Sequence, residues 1–293
     1  MESLTIELIL WLQQSRGTVI ELFFHFISFL GEAYVYIAIL GVVYWTINKK
    51  FGEYLATTLG LSLTINNLIK GLTRLPRPYE SHPEIENLRP ETSSGSSFPS
   101  GHTQGFSSFL FAIANDLKQR KWWVVAIVLT GFMMLSRMYL GVHYLRDVLV
   151  GGVLGLAIAI GHGLLFNRFY DDRKALHRYY LVLLVLFLPF LFILSNNNFF
   201  QGYGIMAGLI VAASLEHAYV GFSLDRPLKV LIVRVVVGFV LLLVTLLALE
   251  TLFELVGFDK GTWGYNMLDF ILYFLLSLVG FYLYPLVFKR LGY

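Results

Sequence analysis

Long apolar segments separated by short polar ones run through almost the whole chain, and this pattern constrains the fold more than any other feature. Of the 293 residues, 57% are hydrophobic and only 14% are charged, and the mean hydropathy is +0.68. Soluble domains carry about 25% charged residues. The apolar excess is spread over many segments whose lengths suit the hydrocarbon core of a bilayer. The sequence therefore predicts an all-α, polytopic integral membrane helix bundle.

Nine apolar segments are predicted to cross the membrane. Their approximate bounds are 18–47, 53–69, 100–116, 122–135, 148–166, 179–194, 204–222, 230–256 and 267–288. Residues 3–16 alternate apolar and polar positions and are short for a span, so an amphipathic helix at the membrane interface is expected there. The acidic residues Glu2 and Glu7 stand where a cleavable signal peptide would be basic, so none is expected.

The lysines and arginines are unevenly divided between the two sides of this topology. Thirteen lie on the side of Lys49 and Lys50, and eight lie on the other side. The positive-inside rule makes the first side cytoplasmic. Two polar stretches, 70–102 and 136–147, are then predicted to face outward together. The five prolines and the serine-rich centre of the first stretch predict an ordered loop with a mobile middle, not a helix.

Composition also excludes some classes of function. The chain has no cysteine, which excludes disulfides, thiolate metal sites and cysteine nucleophiles. A net charge of +3 does not suggest nucleic-acid binding. The sequence shows no obligate protein partner, and membrane lipids are the expected surroundings.

The second outward stretch, 136–147, places several chemically useful side chains close together. His143 and Asp147 are four residues apart, so they share one face if the chain is helical there. A carboxylate beside an imidazole fixes its tautomer and raises the basicity of its free nitrogen. Arg137 offers a planar fork that matches phosphate oxygens. Taken alone, the stretch fits a polar hinge with a structural salt bridge equally well.

The first outward stretch adds two further groups. Lys70 and Arg77 lie near its start, where they would serve as snorkelling anchors or as ligands of an anion. Ser100, Gly101 and His102 open the third predicted span. Ser100 suits a helix N-cap, and the free amides of a first turn bind oxyanions. A capped helix with an interfacial histidine remains the alternative.

The three pieces together favour a phosphate site. Lys70, Arg77 and Arg137 are three cations at the edge of a bilayer, and an anion would offset their cost there. A phosphate has the matching charge and three equatorial oxygens for these donors. The sequence shows no cluster of acids and histidines that resembles a metal cage, so neither a metal nor another cofactor is expected.

These motifs resemble the three-part signature of the type 2 phosphatidic acid phosphatase superfamily: Lys-x6-Arg-Pro, Pro-Ser-Gly-His and Ser-Arg-x5-His-x3-Asp. All eleven fixed positions match in order, from Lys70 to Asp147. The resemblance covers the chain from the first span to about Phe166. It divides the chain into a phosphatase core, 1–178, and an additional four-helix membrane region of unknown role, 179–293.

The resemblance implies a mechanism and a substrate class. His143 would attack phosphorus and form a phosphohistidine, with Asp147 orienting its ring. His102 would protonate the leaving oxygen and then activate water. Lys70, Arg77, Ser100, Gly101 and Arg137 would hold the phosphate oxygens. The expected enzyme is a metal-independent phosphatase of a lipid phosphate, either undecaprenyl pyrophosphate or a glycerophospholipid phosphate, in a bacterial plasma membrane with its site facing outward.

Two alternatives remain open at this point. One is a sugar phosphatase similar to glucose-6-phosphatase, and the other is a lipid transporter that keeps the phosphate pocket for recognition. The last four spans add a further expectation, because Glu216 and Arg234 should lie at similar depth on neighbouring helices. A lone charge at that depth is costly, so the two side chains are predicted to pair. The alternative is that each side chain snorkels separately to the cytoplasmic head groups.

Overall fold

The computed structural model describes residues Glu2–Leu291, which are about 80% helical and contain no strand. The helices are α1 (Glu2–Gln14), α2 (Thr18–Phe29), α3 (Ala33–Val42), α4 (Lys49–Thr73), α5 (Pro78–Ser81), α6 (Gly101–Leu117), α7 (Arg120–Tyr139), α8 (Leu145–Phe169), α9 (Arg173–Phe187), α10 (Phe190–Ile193), α11 (Asn197–Leu215), α12 (Leu228–Glu254), α13 (Trp263–Leu278) and α14 (Tyr284–Leu291). Single π-helical turns extend α3, α11 and α13 at Val43–Ile47, Glu216–Val220 and Val279–Leu283, and Pro90–Thr92 form a 3₁₀ turn.

Six helical segments are long and apolar enough to cross a membrane. They are Arg120–Tyr139, Leu145–Phe169, Arg173–Ile193, Asn197–Val220, Leu228–Glu254 and Trp263–Leu291. A seventh candidate is the pair of α2 and α3 taken as one span. The helix α6 has 17 residues, or about 25 Å, against a hydrocarbon core of about 30 Å. The helical membrane fold is confirmed, whereas the predicted count of nine spans is not.

The first predicted span is not one continuous helix. It breaks after Phe29, and α2 and α3 are bent by 54°. Gly31 and Glu32 lie in the break. The apolar pattern gave no sign of this interruption, because glycine is compatible with a membrane helix and the residues on both sides are apolar. The break places the carboxylate of Glu32 inside the segment that was predicted to form the first span.

Contacts within the chain divide it into two compact units. The first comprises Met1–Tyr36 and Ile65–Gly163, and the second comprises Ile37–Thr64 and Leu164–Tyr293. The boundary predicted from the sequence at residue 178 stays a prediction.

In the first unit, α1 packs against the end of α7. Ile9 and Leu12 of α1 are buried in a cluster with Met138, Tyr139 and residues of the following turn. A helix was correctly predicted at 3–16, and its place at the membrane interface stays a prediction. Its apolar side braces the turn that leads into α8.

Small residues let α6 and α8 approach closely in the same unit. A Cβ atom built at Gly151 would lie 2.8 Å from the carbonyl oxygen of Ser100, and one at Gly155 would lie 2.5 Å from that of Gln104. Real side chains do not tolerate such distances, so glycine is required at both positions. This contact brings the first turn of α6 beside the first turn of α8.

In the second unit, α11 and α13 pack through a Gly-x3-Gly pair. Cβ atoms built at Gly204 and Gly208 would lie 2.5 Å from the carbonyl oxygens of Phe270 and Phe274, respectively. Such spacing of small residues allows two membrane helices to bring their backbones together.

The predicted pair of Glu216 and Arg234 is wrong. Glu216 is fully buried, and its Oε1 lies 2.7 Å from Nζ of Lys49 on α4. Arg234 donates instead to the carbonyl oxygen of Ser223 at 3.0 Å, and its guanidinium lies 4.3 Å from the ring centre of Phe288. Equal depth along two helices does not fix the face on which each side chain lies, and a third helix supplied a nearer cation.

Candidate active site

The predicted nucleophile, His143, lies in the short turn between α7 and α8. Its Nδ1 is 3.6 Å from Oδ2 of Asp147, which stands in the first turn of α8. Asp147 Oδ2 also accepts the backbone N–H of Tyr144 at 2.9 Å. The four-residue spacing therefore brings the two side chains together as predicted, although α8 begins only at Leu145. The helix start fixes Asp147, and its carboxylate holds the turn that carries His143.

A residue not foreseen from the sequence, Ser97, completes this contact. Its hydroxyl donates to Oδ2 of Asp147 and lies 3.4 Å from Nδ1 of His143. Ser97 is fully buried. It is one of several serines between Thr92 and Phe98, and nothing in the sequence distinguishes it from its neighbours.

The other ring nitrogen of His143 faces a cation. Its Nε2 is 3.4 Å from NH1 of Arg77. The side chain of His143 is only 2% exposed. Burial lowers the pKa of His143 well below its ordinary value, and the neighbouring cations Arg77, Lys70 and Arg137 lower it further. The imidazole is therefore neutral at neutral pH, with a lone pair available.

The carbonyl oxygens of loop residues 94–96 accept hydrogen bonds from the two cations of the first motif. Arg77 donates from Nε to the carbonyl oxygen of Gly95 at 3.0 Å and from NH2 to that of Ser94 at 2.8 Å. Lys70 donates to the carbonyl oxygen of Ser96. Both cations thus donate to peptide oxygens of this loop.

Arg137 lies in the last turn of α7, not in a loop, because α7 continues to Tyr139. The side chain is fully buried, and its NH1 donates to the hydroxyl of Ser28 on α2. Its Nε and NH2 have no hydrogen-bond partner within residues 2–291. A buried guanidinium with two unsatisfied donors is well suited to an oxyanion.

Ser100 caps α6, as the sequence predicted. Its hydroxyl accepts the backbone N–H of Thr103 at 3.4 Å, and its own N–H donates to the carbonyl oxygen of Asp147 at 3.0 Å. Gly101 begins α6, and a Cβ atom there would lie 3.2 Å from Oδ1 of Asn66. The first turn of α6 is thereby tied directly to the start of α8.

His102 follows in the same turn. Its Nε2 is 3.3 Å from Oε1 of Glu32, and that oxygen is 3.1 Å from NH2 of Arg89. Neither Glu32 nor Arg89 was predicted to belong to the site. An acid inside an apolar run is a recognised sign of function, and that signal was present at Glu32.

The candidate site therefore gathers a neutral imidazole, a second histidine and three cations within the first unit. Within the range 2–291, no group of three or more His, Cys, Asp or Glu side chains is arranged to hold a metal ion. The donors present suit an oxyanion, and the two histidines suit nucleophilic and acid–base steps.

Two family models and several known phosphatases match this chain. The model of the PAP2 superfamily matches residues 52–175, and the PAP2 superfamily phosphatase transmembrane extension matches residues 200–293. Decaprenylphosphoryl-5-phosphoribose phosphatase of Mycobacterium tuberculosis is 34% identical over 139 residues, which cover 45% of this chain and 72% of that protein. The chain belongs to the PAP2 superfamily. The last three predicted spans, which the three-part signature does not cover, thus match a recognised extension of this superfamily.

Other PAP2 relatives are more distant or longer. Sphingosine-1-phosphate phosphatase 2 of Mus musculus is 28% identical over 143 residues, which cover 47% of this chain and 40% of that protein. The chain thus spans less than half the length of this relative. The phosphatidylglycerolphosphate phosphatase of Bacillus subtilis has a crystal structure that covers 57% of this chain and 86% of its own, with 22% identity and a TM-score of 0.50. That likeness concerns the fold.

Proposed function

We propose that this chain is a metal-independent phosphatase that removes phosphate from a lipid through a phosphohistidine intermediate. One observation carries the proposal. The two nitrogens of His143 face opposite kinds of group, with Nδ1 toward Asp147 and Ser97 and Nε2 toward Arg77. The carboxylate side keeps the proton on Nδ1, so the lone pair of Nε2 points to the place where a cation would hold a phosphoryl group.

The proposed reaction has two balanced steps. In the first, Nε2 of His143 bonds to phosphorus while the ester or anhydride P–O bond breaks, and His102 gives its proton to the leaving oxygen. In the second, water attacks the phosphohistidine, His102 takes a proton from that water, and the P–N bond breaks to release phosphate. Asp147 offsets the positive charge that His143 carries in the intermediate.

The cations and the capped turn stabilise the phosphoryl oxygens in this proposal. Arg77 and Lys70 exchange the loop carbonyls for phosphate oxygens, and Arg137 uses its two free donors. The hydroxyl of Ser100 and the backbone amide of Gly101 stand at the start of α6, where free N–H groups favour negative charge. These groups supply the charge stabilisation that a metal ion provides in many other phosphatases.

The substrate class follows from the family and from the membrane fold. The Mycobacterium tuberculosis and Mus musculus relatives described above are both named as phosphatases of a phosphorylated lipid. We expect undecaprenyl pyrophosphate or a glycerophospholipid phosphate as substrate, with the head group in the site and the tail in the bilayer. The positive-inside tally supports a site on the outer face of a bacterial plasma membrane.

The test is phosphate release by the purified protein in detergent with EDTA. The panel contains undecaprenyl pyrophosphate, phosphatidylglycerol phosphate, phosphatidic acid and glucose 6-phosphate. We expect release from at least one lipid and none from the sugar phosphate. Equal or better turnover of the sugar phosphate favours the sugar phosphatase, and lipid movement across vesicles without phosphate release favours the transporter.

The matched variant for this experiment is His143→Ala. It removes the attacking nitrogen from a residue in a turn, so the protein should fold and release no phosphate above background. Turnover by folded His143→Ala protein would rule out the phosphohistidine mechanism.

A further inference from the structure

The break between α2 and α3 brings a carboxylate to the second histidine of the site. Glu32 is 8% exposed, and its Oε1 lies 3.3 Å from Nε2 of His102. Glu32 lies outside the three-part signature, which begins only at Lys70. The contact joins residues 70 positions apart in sequence.

The backbone at the break between α2 and α3 covers one particular edge of the His102 imidazole. A Cβ atom built at Gly31 would lie 3.1 Å from Cδ2 of His102. Cδ2 and Nε2 are adjacent atoms of the ring, so residues 31 and 32 lie against one edge. The nitrogen left for a substrate is therefore Nδ1, on the other side of the ring.

Charge balance makes a carboxylate tolerable so close to a phosphate site. Arg89 donates from NH2 to the same Oε1 of Glu32 at 3.1 Å, and its NH1 lies 3.2 Å from Nδ1 of His25. Arg137 is a further cation whose charge acts on both Glu32 and His102. With two cations beside it, Glu32 does not present an uncompensated negative charge to a phosphate dianion.

We propose that Glu32 is a positioning residue for His102, which rests on the proposed function above. Its carboxylate accepts the N–H of Nε2 and keeps the proton there throughout the reaction. Nδ1 is then the atom that gives a proton to the leaving oxygen in the first step and takes one from water in the second. The ring thus passes between imidazolium and neutral imidazole without changing the state of Nε2.

A salt bridge that merely braces the fold predicts different behaviour. Loss of a brace lowers stability and affects all substrates alike. Loss of a group that supports the proton donor affects substrates according to how much they need a proton. The pH profile also distinguishes the two. The charged neighbours of His102 are Glu32, Arg89 and Arg137, and its titratable neighbour is the neutral His143, so removal of one of these charges shifts the pH at which His102 titrates.

The experiment compares wild type with Glu32→Gln on two substrates in detergent. The first substrate is the lipid phosphate found by the panel above, and its leaving group is poor unless it is protonated. The second is p-nitrophenyl phosphate, whose leaving group needs no proton. We expect kcat on the lipid to fall about 10- to 100-fold, within the contribution of general acid catalysis, with little change on p-nitrophenyl phosphate. The basic limb of the kcat profile should move to lower pH, because the carboxylate of Glu32 no longer stabilises the imidazolium of His102. Glu32→Asp should restore part of the rate.

The control is Glu86→Gln. It breaks an exposed ion pair with Arg16, at 2.7 Å, in the same loop that carries Arg89. Its kinetics should equal those of wild type. If Glu32→Gln slows both substrates equally, or leaves both unchanged, the assignment is wrong. If wild type turns over neither substrate, the proposed function fails first and this assignment with it.

A second variant covers the case in which Glu32→Gln does not fold. Arg89→Gln keeps the carboxylate and removes the cation that competes with His102 for it. The basic limb should then move to higher pH, opposite to the direction for Glu32→Gln. A limb that stays in place in Arg89→Gln would overturn the assignment on its own.

Discussion

At the scale of single residues, spacing in the sequence predicted contacts only between residues that are close together in the chain. His143 and Asp147 are four residues apart, and their contact followed from the sequence. Ser97 and Glu32 reach the site through long loops and a broken helix, so no periodicity connects them to it. Of these two, only Glu32 left a trace, as one of two acids in the apolar run 18–47, the other being Glu21.

Ser97→Ala tests the unforeseen member of the His143 contact. The change removes a hydrogen bond to a buried carboxylate and leaves Asp147 freer to move away from Nδ1. We expect kcat/KM to fall about tenfold, the order of a charged hydrogen bond of about 1.5 kcal/mol. Ser94→Ala is the matched control, because Ser94 contacts Arg77 through its backbone carbonyl. Equal rates for Ser97→Ala and wild type would show that Asp147 holds its place without the hydroxyl.

The lowered pKa of His143 predicts the acid side of the pH profile. Burial comes first among the causes, followed by Arg77 and Lys70. Protonation destroys the nucleophile, so kcat/KM should fall only below the ordinary histidine value of about 6.5. The free energy of unfolding should also decrease as pH falls below about 6.5, because the unfolded chain then binds a proton that folded His143 excludes. An acid limb of kcat/KM at or above pH 6.5 would contradict this.

At the scale of helices, the apolar pattern predicted where most elements lie but not how they touch. The run at 230–256 overlaps α12 and ends two residues beyond it, and the run at 267–288 falls inside the α13–α14 segment. The break at Gly31 and the pairing of Glu216 with Lys49 depend on which helix faces which, and apolar periodicity in a membrane segment carries little of that information. The glycines of α11 and α8 mark their helix contacts only once the facing carbonyls are known.

Gly208→Ala tests the contact of α11 with α13. A methyl group at this position meets the carbonyl oxygen of Phe274 at 2.5 Å, so the helices must separate. We expect a loss of about 1–3 kcal/mol, measured as a lower Tm in detergent. The control is Gly131→Ala in α7, where an added Cβ meets nothing within 4 Å. It should stay within about 1 kcal/mol of wild type. Equal Tm values for the two variants would show that the Gly-x3-Gly contact does not determine stability.

At the scale of the whole molecule, composition predicted a polytopic helical membrane protein, and the signature predicted the family. Both predictions are confirmed. The predicted count of nine spans is not confirmed. The helix α4 is not among the six candidate spans, and it is rich in buried polar side chains such as Thr57, Thr58 and Ser62. Polar positions that face other helices look the same in sequence as polar positions that face water.

Orientation in the membrane is tested by single cysteines in this cysteine-free chain. Cysteines at Ser94 and Asn197 should react with an impermeant thiol reagent added to intact cells, and one at Gln119 should react only after the cells are opened. The expectation rests on the excess of lysine and arginine in the loops that include Gln119. The reverse labelling pattern would place the site in the cytoplasm.

The loop carbonyls that bind Arg77 and Lys70 have a consequence for selectivity. Phosphate binding in the proposed enzyme is a ligand exchange, since an incoming head group must displace the peptide oxygens of residues 94–96. A peptide oxygen carries only a partial charge, so a doubly charged phosphate competes well against it and a neutral or zwitterionic head group does not. The abundant phosphodiester lipids of a bilayer, with a single negative charge at most on each phosphate, are therefore poor competitors for a site they surround. The same exchange runs backward after hydrolysis, when the resident oxygens return and help the product to leave.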